Sequence, residues 1–206
     1  MNREEKNQQT KRRIMDSALK EFSEQGYGAS SVNTICSVQG VSKGIIYHYF
    51  STKDDLFLAC VEECFRLLTE YLTEKMQDIK GEAEEQLEGY FTARMSFFSE
   101  HPIYQRIFCE AVIAPPAHLR AEIQERKRIF DALNAQILEQ LLEPLPLRPQ
   151  ITKSEIIETF RQFQDFINAN YQVSELTMRE FEAHEQGCRR ALNILLYGVI
   201  NREEKR

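Results

Sequence analysis

No apolar run in this sequence is long enough to span a bilayer. The longest, "ALNILLYGVI" (191–200), is broken by Asn193 and Gly198, whereas a membrane helix needs about 20 mostly apolar residues. No apolar signal segment follows the charged opening "MNREEKNQQTKRR" either, so the expected location is the cytoplasm, with no membrane partner. Paired cysteines are missing. Cys36, Cys60, Cys64, Cys109 and Cys188 are odd in number, scattered and without C-x-x-C spacing, which reads as reduced thiols packed as small apolar residues. Cys60 and Cys64 share a helical face, but two thiolates without nearby histidines make a poor zinc site, so no metal is expected. Catalytic signatures are missing too. His101, His118 and His184 lie far apart, no motif sets a nucleophile beside a base, and no glycine-rich loop cradles a phosphate. The chain reads as a non-enzyme without a cofactor.

Positive charge is scarce overall. The net charge of −6 argues against coating nucleic acid by bulk electrostatics, but its distribution is uneven. Residues 1–60 carry eight Lys and Arg against seven acids, and the rest of the chain carries 18 against 25. The acidity therefore belongs to the C-terminal three-quarters.

Strict apolar/polar alternation is also absent. Nearly every segment repeats its apolar residues at three- and four-residue spacing instead, so the fold class is all-α. Ile14, Ala18 and Phe22 form a stripe on a first helix that the glycines of "EQGYG" end. Ser30 or Ser31 caps a short second helix carrying Val32, Ile35 and Cys36 inward. Gly40 supplies a positive φ in the "QGVS" turn, and Ser42 caps a third helix from about Lys43 to Tyr49. Ser51 with Asp54 predicts a capping box for a long fourth helix, striped by Phe57, Val61, Cys64, Leu68 and Leu72. A fifth helix after Gly81 carries Leu87, Tyr90, Phe91, Met95 and Phe98, and Pro102 opens a sixth. A long helix is predicted from about Ala117 to Glu143, followed by the linker "PLPLRPQ". Thr152 with Glu155, and Thr177 with Glu180, predict capping boxes for two final helices over about 152–171 and 177–200.

The second and third helices, joined by a short glycine turn, fit a helix-turn-helix, whose second helix enters the DNA major groove. Ile46 and Phe50 lie four apart and bury together, with Val41 beneath them. Gly44 and His48 then face outward, flanked by Ile45 and Tyr47, with Lys43 at the exposed end. Seven residues make a helix about 10 Å long, which suits a groove about 12 Å wide. Lys53 sits in the first turn of its helix, where the dipole disfavours a cation, and this points to a phosphate partner. "TKRR" (10–13) reads as a basic arm touching the DNA backbone.

The stretch "YGASSVNTICSVQGVSKGIIYHYFSTKDDLF" resembles the DNA-binding region of the tetracycline-repressor (TetR) family. Ser31, Val32, Ile35, Gly40, Val41, Ser42, Gly44, Ile46, Tyr47, Tyr49, Phe50, Lys53 and Leu56 match that family's pattern, while Cys36 and Gln39 replace small alanines. The resemblance implies a homodimer reading a palindromic operator in double-stranded DNA. It assigns Lys43, Gly44, Ile45, Tyr47 and His48 to bases and phosphates, and Ser31, Ser42, Tyr49 and Lys53 to phosphates. It divides the chain into a helix-turn-helix domain (1–52) and a domain for ligand binding and dimerisation (53–206).

The resemblance also implies a cavity for a small, largely apolar effector in the C-terminal body. Tyr71, Phe91, Met95, Phe98, Tyr104, Phe108, Phe130, Phe163 and Phe166 are the candidate lining residues. The expected dimer seam is the last two helices, with Ile156, Phe160, Phe163 and Ile167 on one stripe and Phe181, Cys188, Leu192, Leu195 and Val199 on the other. Phe166 and Leu196 lie off those stripes. The expected function is a ligand-responsive repressor. A constitutive or cysteine-redox-responsive regulator of the same fold, or an adaptor that does not bind DNA, stays open.

Overall fold

Asn2 and Glu5 form a reciprocal capping box, and from it α1 runs Arg3–Ala29. The computed structural model describes residues 2–40, 42–171 and 178–200. After α1 come α2 (Val32–Gln39), α3 (Lys43–Tyr49), α4 (Lys53–Asp78), α5 (Ala83–Glu100), α6 (Pro102–Val112), a 3₁₀ turn (Ala117–Leu119), α7 (Arg120–Leu142), α8 (Lys153–Asn170) and α9 (Met178–Val199). Among the described residues the only extended pairing is an isolated bridge between Leu147 and Ile200. The all-α expectation therefore holds. Val41, Thr177 and the side chain of Gln39 lie outside the described residues, and so do the expectations placed on them.

The chain divides into two compact units, one from Met1–Leu67 with Phe98–Arg128 and one from Leu68–Phe97 with Ile129–Arg206. In the first, α1 packs on α2 and α6 and buries Ile14, Met15, Ala18, Leu19 and Phe22. Phe22 meets Phe57 edge-on at 5.1 Å, and Phe108 of α6 lies 5.8 Å from Phe65. Gly26 breaks the helical path of α1 at φ 73°, and a Cβ there would sit 2.3 Å from Glu110 Oε1 and 2.7 Å from Arg106 Nη2. Glycine is required there for its backbone conformation, and the ends of the Glu110 and Arg106 side chains close over the space. Glu110 then accepts the Tyr27 N–H at 2.8 Å. Burial raises this carboxyl's pKa, and the Tyr27 bond and Arg106 oppose the rise.

In the second unit, α5, α7, α8 and α9 close around Leu87, Phe97, Phe130, Leu138, Ile156, Phe181, Leu192 and Leu196, all buried. Set into that core is an ion pair, Arg94 to Glu185 at 3.0 Å, with both side chains at most 3% exposed.

Several local expectations are corrected. The α4 capping box is Thr52 with Asp55, each backbone N–H donating to the other side chain at 3.0 Å. Ser51 with Asp54 is therefore one residue out of register. The segment at Ala117 opens as a 3₁₀ turn before α7 begins at Arg120, and α1 continues past its glycine kink to Ala29. Val32 and Cys36 are half-buried, not inward. The stripes on α1 and α4 and the Thr152–Glu155 box stand as expected.

Candidate nucleic-acid interface and ligand cleft

The reading helix is set by two turn residues. Gly40 caps α2 in the left-handed region at φ 61°, and the Ser42 side chain caps α3 by accepting the Ile45 N–H. This rotation buries Ile46 and Phe50, at 2% and 6% exposure, and turns Ile45 and Tyr47 out at 42% and 43%. Lys43, Gly44 and His48 are exposed beside them, and the Lys43 ammonium lies 5.9 Å from the centroid of the Tyr47 ring. Ser31 caps α2 through the Asn33 N–H. The Tyr49 hydroxyl donates to Asn7 of α1.

Lys53 has a role inside the protein that sequence reasoning missed. Its ammonium donates to the carbonyls of Tyr27 at 2.6 Å and Ser30 at 3.0 Å, and lies 4.4 Å from the Tyr27 ring centroid. The cation that looks misplaced at the start of α4 in fact meets the carbonyls at the end of α1, where positive charge is favoured. Two of its three N–H groups are occupied in this way. Arg12, within "TKRR", is held by Glu63 and Asp16, whose hydrogen bonds raise its pKa above the usual arginine value, whereas Lys11 and Arg13 are exposed.

A narrow cleft opens in the second unit. Leu87, Phe91, Ile137, Leu138, Leu141 and Leu192 give it apolar walls, and Tyr90, Arg94, Asn134 and Gln164 bring polar atoms to it. Of the nine aromatic and methionine candidates, Phe91 alone lines this cleft. Phe98, Tyr104 and Phe108 are core of the first unit, where Tyr104 donates to Glu63 at 2.6 Å. Phe130 is buried with its ring 5.5 Å from the Arg94 guanidinium. Tyr71 and Met95 are half-buried, while Phe163 and Phe166 are exposed. The cleft is lined mostly by aliphatic residues, which candidates chosen for size and aromaticity overlook.

Among the described residues, the large apolar side chains left exposed fall mainly on α3 and on the α8/α9 pair. On the pair they are Phe163 (45%), Phe166 (61%), Ile194 (73%) and Tyr197 (49%). Most of the stripe expected to form the seam on α9 is inward, since Phe181, Cys188, Leu192 and Val199 are buried and Leu196 joins them, while Leu195 is half-buried. That face of α9 is consumed within the chain.

Four cysteines, Cys60, Cys64, Cys109 and Cys188, are buried, and Cys36 is half-buried. Burial pushes the thiols of Cys60 and Cys64 up, and that of Cys188 to about 12, so the reactive thiolate is scarce at neutral pH. Alkylation of the native protein by iodoacetamide, followed by mass spectrometry, is expected to label Cys36 first and the other four only on unfolding. Fast labelling of Cys60 or Cys64 would return the redox-responsive reading. Among the described residues no His, Cys, Asp or Glu cluster suits a metal ion, and no helix is long and apolar enough to cross a membrane.

An all-helical chain with a glycine-turned helix-turn-helix at its N-terminus defines a class, the helix-turn-helix DNA-binding proteins. Residues 14–60 match the family of bacterial regulatory proteins called the tetR family. The chain is 23% identical to the HTH-type transcriptional regulator RutR of Escherichia coli K12 over 192 residues, 92% of this chain and 90% of that one. It is 44% identical to the regulator AcrR of Shigella flexneri over 50 residues, 24% of this chain and 23% of that one. In fold it is similar to the regulator FadR of Bacillus subtilis, solved in complex with stearoyl-CoA, with a TM-score of 0.66, 20% identity and coverage of 91% and 98% of the two chains. Residues 14–60 carry the tetR-family DNA-binding region, and the chain is a DNA-binding transcriptional regulator.

Proposed function

We propose that this protein is a homodimeric repressor that reads a palindromic operator through α3 and leaves it when a small, largely apolar molecule enters the cleft of the second unit. The observation that carries the reading is the outer face of α3. Ile45 and Tyr47 are large apolar groups exposed on a short helix with a basic start. Gly44 has open space where a Cβ would go, so nothing in the protein's own packing asks for a residue that weakens a helix by about 0.5–1 kcal/mol. Close approach of a DNA backbone accounts for it. Lys43, Gly44, Ile45, Tyr47 and His48 are assigned to bases and phosphates, and Ser31, Ser42, Tyr49 and the third N–H of Lys53 to phosphates.

Residues 1–52 form the reading domain, and 53–206 sense the effector and dimerise. The relative KstR2 of Mycobacterium tuberculosis is named a repressor, and FadR was solved with an acyl-CoA, which supports repression and an apolar ligand. No catalytic role is assigned.

The test is fluorescence anisotropy on DNA from upstream of the protein's own gene, with two variants. Tyr47→Ala is expected to weaken specific binding by about 1–3 kcal/mol while leaving the melting temperature in place, because Ile46 anchors the helix. Lys53→Met is expected to lower stability by about 1.5–3 kcal/mol through its two carbonyl bonds and to reduce the salt slope of DNA binding by about one. An unchanged slope would reassign Lys53 to its internal tie alone. Wild-type affinity in Tyr47→Ala would remove α3's outer face from the interface.

A further inference from the structure

The cleft carries an electrical asymmetry. Its lining contains one cation, Arg94, and no carboxylate. Its other polar groups are two amides and a phenol, and these are partly committed. The Tyr90 hydroxyl donates to Asn134 Oδ1 at 2.6 Å, which leaves Asn134 with N–H donors to offer. Arg94 Nη1 donates to the Tyr90 oxygen at 3.4 Å. What the lining presents to a guest is therefore mainly donors on an apolar wall.

Behind the cleft, Glu185 faces Arg94 in an unfinished way. Nη2 reaches only Oε1, at 3.0 Å, and the same oxygen lies 3.4 Å from His184 Nδ1. Oε2 is buried with no hydrogen-bond partner among the described residues. A buried ion pair offsets its desolvation only when geometry is good and the remaining lone pairs are satisfied. A single-oxygen contact with an orphaned second oxygen does not meet that condition, so stability is a poor account of this pair. Burial works against the charge on Arg94, and Glu185 with Tyr90 holds the guanidinium charged. His184 is itself fixed by Nε2 on Asn168 Oδ1 at 2.8 Å and by the Tyr171 ring at 4.8 Å, so the carboxylate is backed by a set framework.

We infer that the cleft takes an apolar monocarboxylate, with its hydrocarbon body among Leu87, Ile137, Leu138 and Leu192 and its carboxylate on Arg94, in competition with Glu185. Glu185 acts as a stand-in anion that keeps the cation charged and solvated by protein until a guest arrives. A guest carboxylate replaces Glu185 as the anion that Arg94 faces. This rests on the reading of the cleft as the effector site.

The probes are octanoate, octanol and octylamine, which share one body and differ in the head group. Calorimetry and thermal shift on the full chain are expected to show octanoate binding at least about tenfold tighter than octanol, with octylamine weakest. Glu185→Gln removes the competing anion, so octanoate should bind tighter than in wild type and raise the melting temperature further. Removing Arg94 alone risks unfolding, so the neutral pair Arg94→Gln/Glu185→Gln replaces it. In that variant octanoate should lose its advantage over octanol. Equal binding of octanoate and octanol to wild type would overturn the inference while leaving the cleft as a site for apolar guests. A preference for octylamine, no binding of any probe, or weaker octanoate binding in Glu185→Gln would also overturn it. Operator affinity measured alongside separates the two readings. Octanoate binding that leaves operator affinity unchanged would uphold the head-group inference and sink the induction mechanism.

Discussion

Phe166→Asp combined with Ile194→Arg is expected to yield a folded monomer in sedimentation, with operator affinity reduced on the order of 100-fold or more. The two side chains are 61% and 73% exposed within one chain, so placing a charge on each breaks no packing in the protomer. Phe163 and Tyr197 are exposed on the same two helices, with the Phe163 and Phe166 rings 6.2 Å apart, and exposed apolar surface of this kind marks association sites. A two-fold axis through that surface would bury all four residues twice, since an isologous interface uses the same patch on both copies. The loss of DNA binding follows from avidity: a second tethered reader raises affinity by about 10²–10⁴ over one alone. Circular dichroism should be unchanged. Dimers that persist would place the seam elsewhere, and a monomer that still binds operator at full strength would end the palindrome reading.

Arg94→Ala is expected to lower stability by about 3–5 kcal/mol, the cost of leaving the Glu185 carboxylate buried without its cation. For a chain of this size that corresponds to a fall in melting temperature of roughly 6–20 °C. Replacing both partners by apolar residues of similar volume, Arg94→Met with Glu185→Leu, should recover most of the loss, because the pair's penalty leaves together with its attraction. Equal destabilisation in the single and double variants would mean that Arg94 acts through packing on Phe130 rather than through charge.

How much of this could be read in advance depended on the range of each interaction. Helix existence, the Gly40 turn, the Ser42 cap and the inward rotation of Ile46 are decided by residues within four positions of one another, so periodicity and capping chemistry reach them. The Thr52–Asp55 box was missed by one residue because Ser51 with Asp54 offers the same chemistry one step earlier. Lys53 shows the other limit. Its partners lie at Tyr27 and Ser30, 26 and 23 residues away, and nothing local announces them. The α9 stripe failed for a related reason. That helix has apolar residues on two faces, and which face the chain covers depends on where α5, α7 and α8 pack. The cleft was illegible in the same way: the helical spacing of Ile137 and Leu141 is that of any core stripe, and the residues that line the cleft come from four helices.

The fastening of Gly26 and Lys53 sets what kinds of change the regulator can tolerate. Glu110 of α6 holds the Tyr27 N–H just after the bend at Gly26, and Lys53 of α4 holds the carbonyls of Tyr27 and Ser30 that follow it. On the reading proposed above, substitutions at Ile45, Tyr47 or His48, all exposed, would change which operator is bound without loosening that bend. A change at Gly26 has no such freedom, because the backbone there lies in the left-handed region that side chains rarely adopt.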